Sequence, residues 1–166
     1  RMLSHIGPNN RPAIVNISDK KVTKRTAHAR AIVDLPPEVA SRFRDGDLHS
    51  KKGSVVQTAI LAGVMAAKRT GELIPLCHPL AIEDCQIDIS LQDNEAVINC
   101  RVSIHHKTGV EMEALTGASV AALTLYDMCK SMSHNIVIRD VRLLEKRGGK
   151  TDYDVQSQAK RARRNP

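Results

Sequence analysis

The 166-residue sequence predicts an α+β protein, an antiparallel sheet with helices packed on one face. Three observations carry that reading. Cys85, Ile87, Ile89 and Leu91 recur at period two, the turn Gln92-Asp93-Asn94-Glu95 follows, and Ile98, Cys100, Val102 and Ile104 resume the alternation, which is a hairpin. An Ala-rich helical stretch precedes it, from Ser54 to about Thr70, and a second helical stretch follows it, from about Val110 to Ser133.

In chain order, Ile14 to Ile17 reads as a short strand. Ala29, Ala31, Val33 and Leu35 alternate with His28, Arg30 and Asp34, as a half-buried strand does. Pro36-Pro37 ends that strand and opens a short helix to about Arg44, closed by Asp45-Gly46-Asp47. Ser54 suits the N-cap of the Ala-rich helix and Gly71 its C′ position. Gly109 leads into the long helix, and a last strand spans about Ile136 to Glu145, before Gly148-Gly149. From Ala29 onward the order is βαββαβ, the split βαβ or ferredoxin-like layout. Residues 1–150 read as one domain and 151–166 as a flexible polar tail ending in the basic run Lys160-Arg161-Ala162-Arg163-Arg164.

Hydrophobic residues make up 42% of the chain and charged residues 26%, as in globular proteins, while aromatics are only 2%. The core must therefore be built from Ala, Val, Ile and Leu. No apolar run is long enough to span a bilayer, and Arg1-Met2-Leu3-Ser4-His5 lacks the layout of a secretory signal. Cys77, Cys85, Cys100 and Cys129 show no CxxC spacing, so reduced thiols in the cytoplasm are expected. A net charge of +7 points to an anionic partner. A nucleic-acid module is one way to use it, but aromatics for base stacking are nearly absent. A metal site finds no ligand spacing, since Cys77 and His78 are adjacent. We expect neither metal nor cofactor, no nucleic-acid partner and no membrane partner.

Three segments carry chemistry. In Leu73–Leu80 two prolines hold Cys77 and His78 on a rigid turn. In Lys107–Thr116 a lysine and a glycine enter a helix N-terminus, where free N–H groups favour an anion. In Tyr126–Lys130, Asp127 and Lys130 stand one turn apart and can face the same space. Each has a plainer reading alone. Glu111 and Glu113 can simply favour a helix start, Asp127 and Lys130 can be an exposed pair of little worth, and His78 can be a packed, satisfied histidine.

The stretches KRTGELIPLCHPL, KTGVEMEALT, ALTLYDMCK and RLLEKRGGK, with the opening SHIG and IVNIS, resemble the cyclic pyranopterin monophosphate synthase family, also called molybdenum cofactor biosynthesis protein C. The resemblance runs from about Ser4 to Lys150. It implies a lyase that converts (8S)-3′,8-cyclo-7,8-dihydroguanosine 5′-triphosphate to cyclic pyranopterin phosphate and diphosphate. It also implies a homohexamer, a trimer of dimers. By resemblance Asp127 is the acid/base, with Lys130 its neighbour, and Lys52 matches the lysine of the family's HHKGD motif. His78 is placed with the catalytic residues and, with Leu76 and Cys77, in one substrate-contacting stretch; Met112 and Glu113 form another. Lys20, Arg25, Lys68, Lys107, Lys146 and Lys150 match basic positions near the triphosphate. The HHKGD motif reads His49-Ser50-Lys51-Lys52-Gly53-Ser54 here, so either Lys51 or Lys52 points inward. The family's early Asp is Asn16, and its GGKSGD ending is Gly148-Gly149-Lys150-Thr151-Asp152-Tyr153.

Chemistry accords with these roles. A triphosphate needs several cations, and a carboxylate such as Glu111 or Glu113 accepts two N–H donors from a guanine edge. Glu113 and Asp127 are fourteen residues apart on one helix, or roughly 21 Å at 1.5 Å per residue. That exceeds what one nucleotide comfortably bridges, so we expect active sites shared between subunits.

Overall fold

The computed structural model describes residues 5–7 and 10–157. In chain order these form strand β1 (Thr23–Asp34), helix α1 (Pro37–Ala40), the short strands β2 (His49–Ser50) and β3 (Gly53–Ser54), helices α2 (Val55–Lys68) and α3 (Thr70–Leu73), strands β4 (Asp84–Gln92) and β5 (Glu95–His106), helix α4 (Glu111–Cys129), and strands β6 (Val137–Arg147) and β7 (Tyr153–Asp154). Five strands make one antiparallel sheet in the order β4-β5-β1-β6-β7, and β2 pairs with β3. The first four give the expected ferredoxin-like βαββαβ arrangement.

The alternation sets the layers. Ala27, Ala29, Ala31 and Val33 of β1 and Ala96, Ile98, Cys100, Val102 and Ile104 of β5 are buried, and they join the buried faces of α2 and α4 in one core. With almost no aromatics available, that core closes by bringing backbones near one another. A Cβ on Gly63 of α2 would lie 2.8 Å from the Gly117 carbonyl oxygen of α4, and one on Gly117 would lie 2.7 Å from Cys100 Sγ. Those two glycines let the helices cross tightly above the sheet.

Ser54 caps α2 as expected: its Oγ accepts the Gln57 N–H at 3.0 Å and donates to Asp47. Asp47 Oδ1 in turn accepts the N–H groups of Leu48 (2.7 Å) and Val56 (3.0 Å). This network pins the base of the β2–β3 turn, which holds Lys51 and Lys52.

The structure departs from the sequence reading at several edges. Ile14 to Ile17 forms no strand and pairs with none among the described residues. α1 stops at Ala40, α4 at Cys129, and β1 begins six residues before Ala29. Gly71 is not a C′ residue. Arg69 caps α2 with φ −108°, its N–H bonding the carbonyls of Ala66 and Ala67, and Gly71 lies within α3. What Gly71 supplies is close approach, since a Cβ there would lie 3.0 Å from Pro79 Cα. The expected tail begins with structure: β7 pairs with β6 through Glu145–Asp154 and Lys146–Tyr153. The basic run Lys160–Arg164 lies outside the described residues.

Candidate active site

A cavity of about 510 Å³ opens where the N-terminus of α4, the Leu76–Leu80 loop, the start of β1 and the end of β6 meet. Of the residues singled out in the sequence, Lys20, Arg25, Leu76, Cys77, His78, Lys107, Glu111, Met112, Glu113, Lys146 and Lys150 all line it. Lys52, Lys68, Asp127 and Lys130 are not among its lining residues.

The cavity walls are electrostatically mixed. Glu111 Oε1 accepts from Lys146 Nζ at 2.8 Å, both groups being about two-thirds buried. Glu113, two residues on, is only 3% exposed. Burial pushes its carboxyl up from 4.5 to about 7, its own N–H opposes that, and the Glu111 charge adds to the rise. Burial also raises the Cys77 thiol, and the nearby Glu113 raises it further. The thiol is therefore held protonated and is no ready nucleophile.

Several basic side chains are already engaged. Arg25 Nε and Nη2 donate to the carbonyls of His106 and Lys107, each at 3.3 Å, bracing the turn before α4. Lys107 Nζ donates to the Ser18 carbonyl at 2.6 Å, and His78 Nε2 donates to the Val15 carbonyl at 2.9 Å. Gly148, at φ +85°, turns the end of β6 so tightly that a Cβ would fall 1.9 Å from the Lys24 carbonyl oxygen. Its own carbonyl accepts from Thr23 Oγ1 at 2.7 Å, which fixes the loop that brings Gly149 and Lys150 to the cavity. The sequence reading missed Val15, Ile17 and Arg147 as lining residues. The alternation of half-buried Val15 and Ile17 with exposed Asn16 was a visible signal, but it pointed to a strand.

A second cluster lies at the other end of α4. Lys130 Nζ meets Asp127 Oδ1 at 2.6 Å, with the side chains 52% and 54% exposed. The hydrogen bond and charge of Lys130 hold the Asp127 carboxyl below its ordinary range, and the positive charge of Lys52 adds to this. Lys130 is raised by the same partner. Of the two adjacent lysines, Lys52 is the one whose charge reaches Asp127. Lys68 sits in the last turn of α2, apart from the cavity lining. One chain thus carries a binding cavity and a separate acid–lysine cluster. Among the described residues no group of three His, Cys, Asp or Glu is placed to hold a metal ion.

The sequence model of the MoaC family matches residues 14–149, a span that takes in the Asp127 cluster and all of the cavity lining but His5, Lys150 and Thr151. The chain belongs to the MoaC family. It is 52% identical over 151 residues to the cyclic pyranopterin monophosphate synthase of Xanthomonas campestris pv. campestris, covering 90% of this chain and 92% of that one. It is also 47% identical over 156 residues to the molybdenum cofactor biosynthesis bifunctional protein of a Synechocystis strain, covering 91% of this chain and 45% of that protein. Molybdenum cofactor biosynthesis protein 1 of Dictyostelium discoideum is 46% identical over 166 residues, covering 89% of this chain and 26% of that protein. MoaC membership favours the enzymatic reading of the basic charge over a nucleic-acid module. No helix among the described residues is long and apolar enough to cross a membrane.

Proposed function

We propose that this chain catalyses the cyclic pyranopterin monophosphate synthase reaction of molybdenum cofactor biosynthesis, as a lyase acting on (8S)-3′,8-cyclo-7,8-dihydroguanosine 5′-triphosphate. The observation that carries the reading is the lysine-rich cavity with the buried Glu113 in its wall, in a chain 52% identical to a relative of that name. Lys20, Lys107, Lys146 and Lys150 supply point charges for a triphosphate, and Arg25 holds the Lys107 turn beside them. Glu111 and Glu113, with Leu76, Cys77 and Met112, form the wall that takes the heterocycle. A protonated Glu113 can donate one hydrogen bond and accept another, which suits an amide-like edge.

Asp127 is the acid/base. Lys130 and Lys52 keep it ionised at rest, so it can take a proton when the ring opens and return it later. Closure of the cyclic phosphate forms a bond from a sugar-derived oxygen to the α-phosphorus. The bond to the bridging oxygen breaks and pyrophosphate leaves, while the hydroxyl proton goes to the base. Lysines neutralise the charge that gathers on the departing pyrophosphate. Lys68 completes the set of basic positions, from outside the cavity of its own chain.

Asp127 and the cavity stand at opposite ends of α4, so the working site takes the cavity from one subunit and the Lys52–Asp127–Lys130 cluster from another. The family resemblance makes that assembly a hexamer, a trimer of dimers. We place the enzyme in the cytoplasm, which accords with its four free cysteines. Purified chain given the cyclised nucleotide should release pyrophosphate. Asp127→Ala and Lys52→Ala should abolish release with unchanged thermal melts, and near-normal turnover by either refutes these roles.

A further inference from the structure

The segment Ala13–Ser18 crosses the cavity without a strand partner among the described residues, yet it has two faces. Ala13, Val15 and Ile17 are half-buried, and Ile14, Asn16 and Ser18 are exposed. Val15 and Ile17 line the cavity. Among the described residues, main-chain bonds hold only its ends, Ala13 N–H to the His5 carbonyl at 3.0 Å and Lys20 N–H to the Ile17 carbonyl at 3.1 Å. Between them, two cavity side chains reach up to its carbonyls: His78 Nε2 to Val15 at 2.9 Å and Lys107 Nζ to Ser18 at 2.6 Å.

The first of these contacts has a chemical consequence. A carbonyl oxygen only accepts, so His78 Nε2 must carry hydrogen. Nδ1 makes no hydrogen bond to any described residue. In a neutral imidazole whose Nε2 is protonated, Nδ1 is an acceptor. In that neutral form the ring does not serve a phosphate, whose oxygens also accept; it serves an N–H or O–H group.

We propose that Ala13–Ser18 is a positioning strap for His78: the Val15 main-chain carbonyl holds the imidazole as its Nε2–H tautomer and leaves Nδ1 to accept a hydrogen bond from an N–H or O–H of the ligand's heterocycle or sugar. The Lys107–Ser18 contact is the second tie of the strap. Division of labour follows within the cavity, lysines for the polyphosphate and His78 for the nucleoside part. The nucleoside as ligand rests on the function proposed above; the hydrogen on Nε2, and with it the tautomer of the neutral ring, rests on the geometry alone.

Two-bond proton–nitrogen spectra of the full chain labelled in histidine, at mildly alkaline pH, test the tautomer directly. His78 is assigned by the signal missing in His78→Gln. The native chain should show the Nε2–H pattern. The full-length strap variant Val15→Gly/Ile17→Gly should show a mixture of tautomers while keeping the native melt. An unchanged pattern overturns the strap. In turnover, Val15→Gly/Ile17→Gly should lower kcat/KM by roughly five- to tenfold, the worth of one net hydrogen bond. In a His78→Asn background the same strap change should cost nothing more, because its effect passes through His78. Additive losses overturn the proposal. A native chain that shows the Nε2–H pattern but is inert on the cyclised nucleotide refutes the reaction and leaves the strap standing.

Discussion

Glu113→Gln isolates the electrostatics of the cavity. Glu113 is 3% exposed in the first turn of α4, and its carboxyl is raised from 4.5 to about 7, chiefly by burial. Between those two pH values the folded chain holds a proton that the unfolded chain has released, so stability falls as pH rises through the window. The cost is absent below the unfolded value and complete above the folded one. At about 1.4 kcal/mol per pH unit, the gap amounts to roughly 3 kcal/mol. Glutamine has nearly the same shape and does not titrate. The variant should therefore melt higher than the native chain above neutrality, by roughly 5–10 °C for a chain of this size, and the difference should shrink towards pH 4.5. Differential scanning calorimetry of both proteins across that range, at one protomer concentration, reads the difference directly. Titrating groups remote from Glu113 cancel in the comparison, leaving only its neighbours Glu111 and Cys77 coupled to it. A melting difference that stays flat across the window would refute the claim that Glu113 is buried at a cost when charged.

Mixing Glu113→Ala with Asp127→Ala protein, each inactive alone, should restore part of the activity after subunit exchange; no recovery would count against sites shared between subunits. Gly148→Ala puts a Cβ 1.9 Å from the Lys24 carbonyl at φ +85°, so the Lys150 loop must move. Pyrophosphate affinity by titration calorimetry should drop severalfold, with the core melt little changed. Asp47→Ala removes the acceptor for Leu48, Ser54 and Val56. It should cost about 1–2 kcal/mol in urea unfolding and reduce kcat by loosening the turn that carries Lys52.

The sheet and both long helices were readable because burial on one face imposes a period that substitution cannot hide, as in Cys85–Leu91 against Ile98–Ile104. Where the reading failed, local pattern and tertiary cause diverged. Gly71 looks like a helix terminator because it follows an apolar helix, but Arg69 already ends that helix and Gly71 exists to admit the Pro79 backbone. Val15 and Ile17 alternate like a strand because one face of the segment covers a cavity; no ladder is required for that. Tyr153–Asp154 carries no apolar alternation, so its pairing with β6 left no mark in the sequence.

The site shows a different limit. Residue types and spacing placed Glu111 and Glu113 at the head of a helix and Asp127 near its foot, and the structure keeps them there. What one dimension could not show was company: which lysine reaches Asp127, and that His78 and Lys107 bind the main chain of a distant segment before they bind anything else. α4 is straight-through scaffolding, nineteen residues long, with a cavity at one end and an acid at the other. A rigid helix cannot bring its own ends together. If both ends act on one nucleotide, the second end must come from another copy, and the small-residue core that packs α4 so tightly fixes the distance between them.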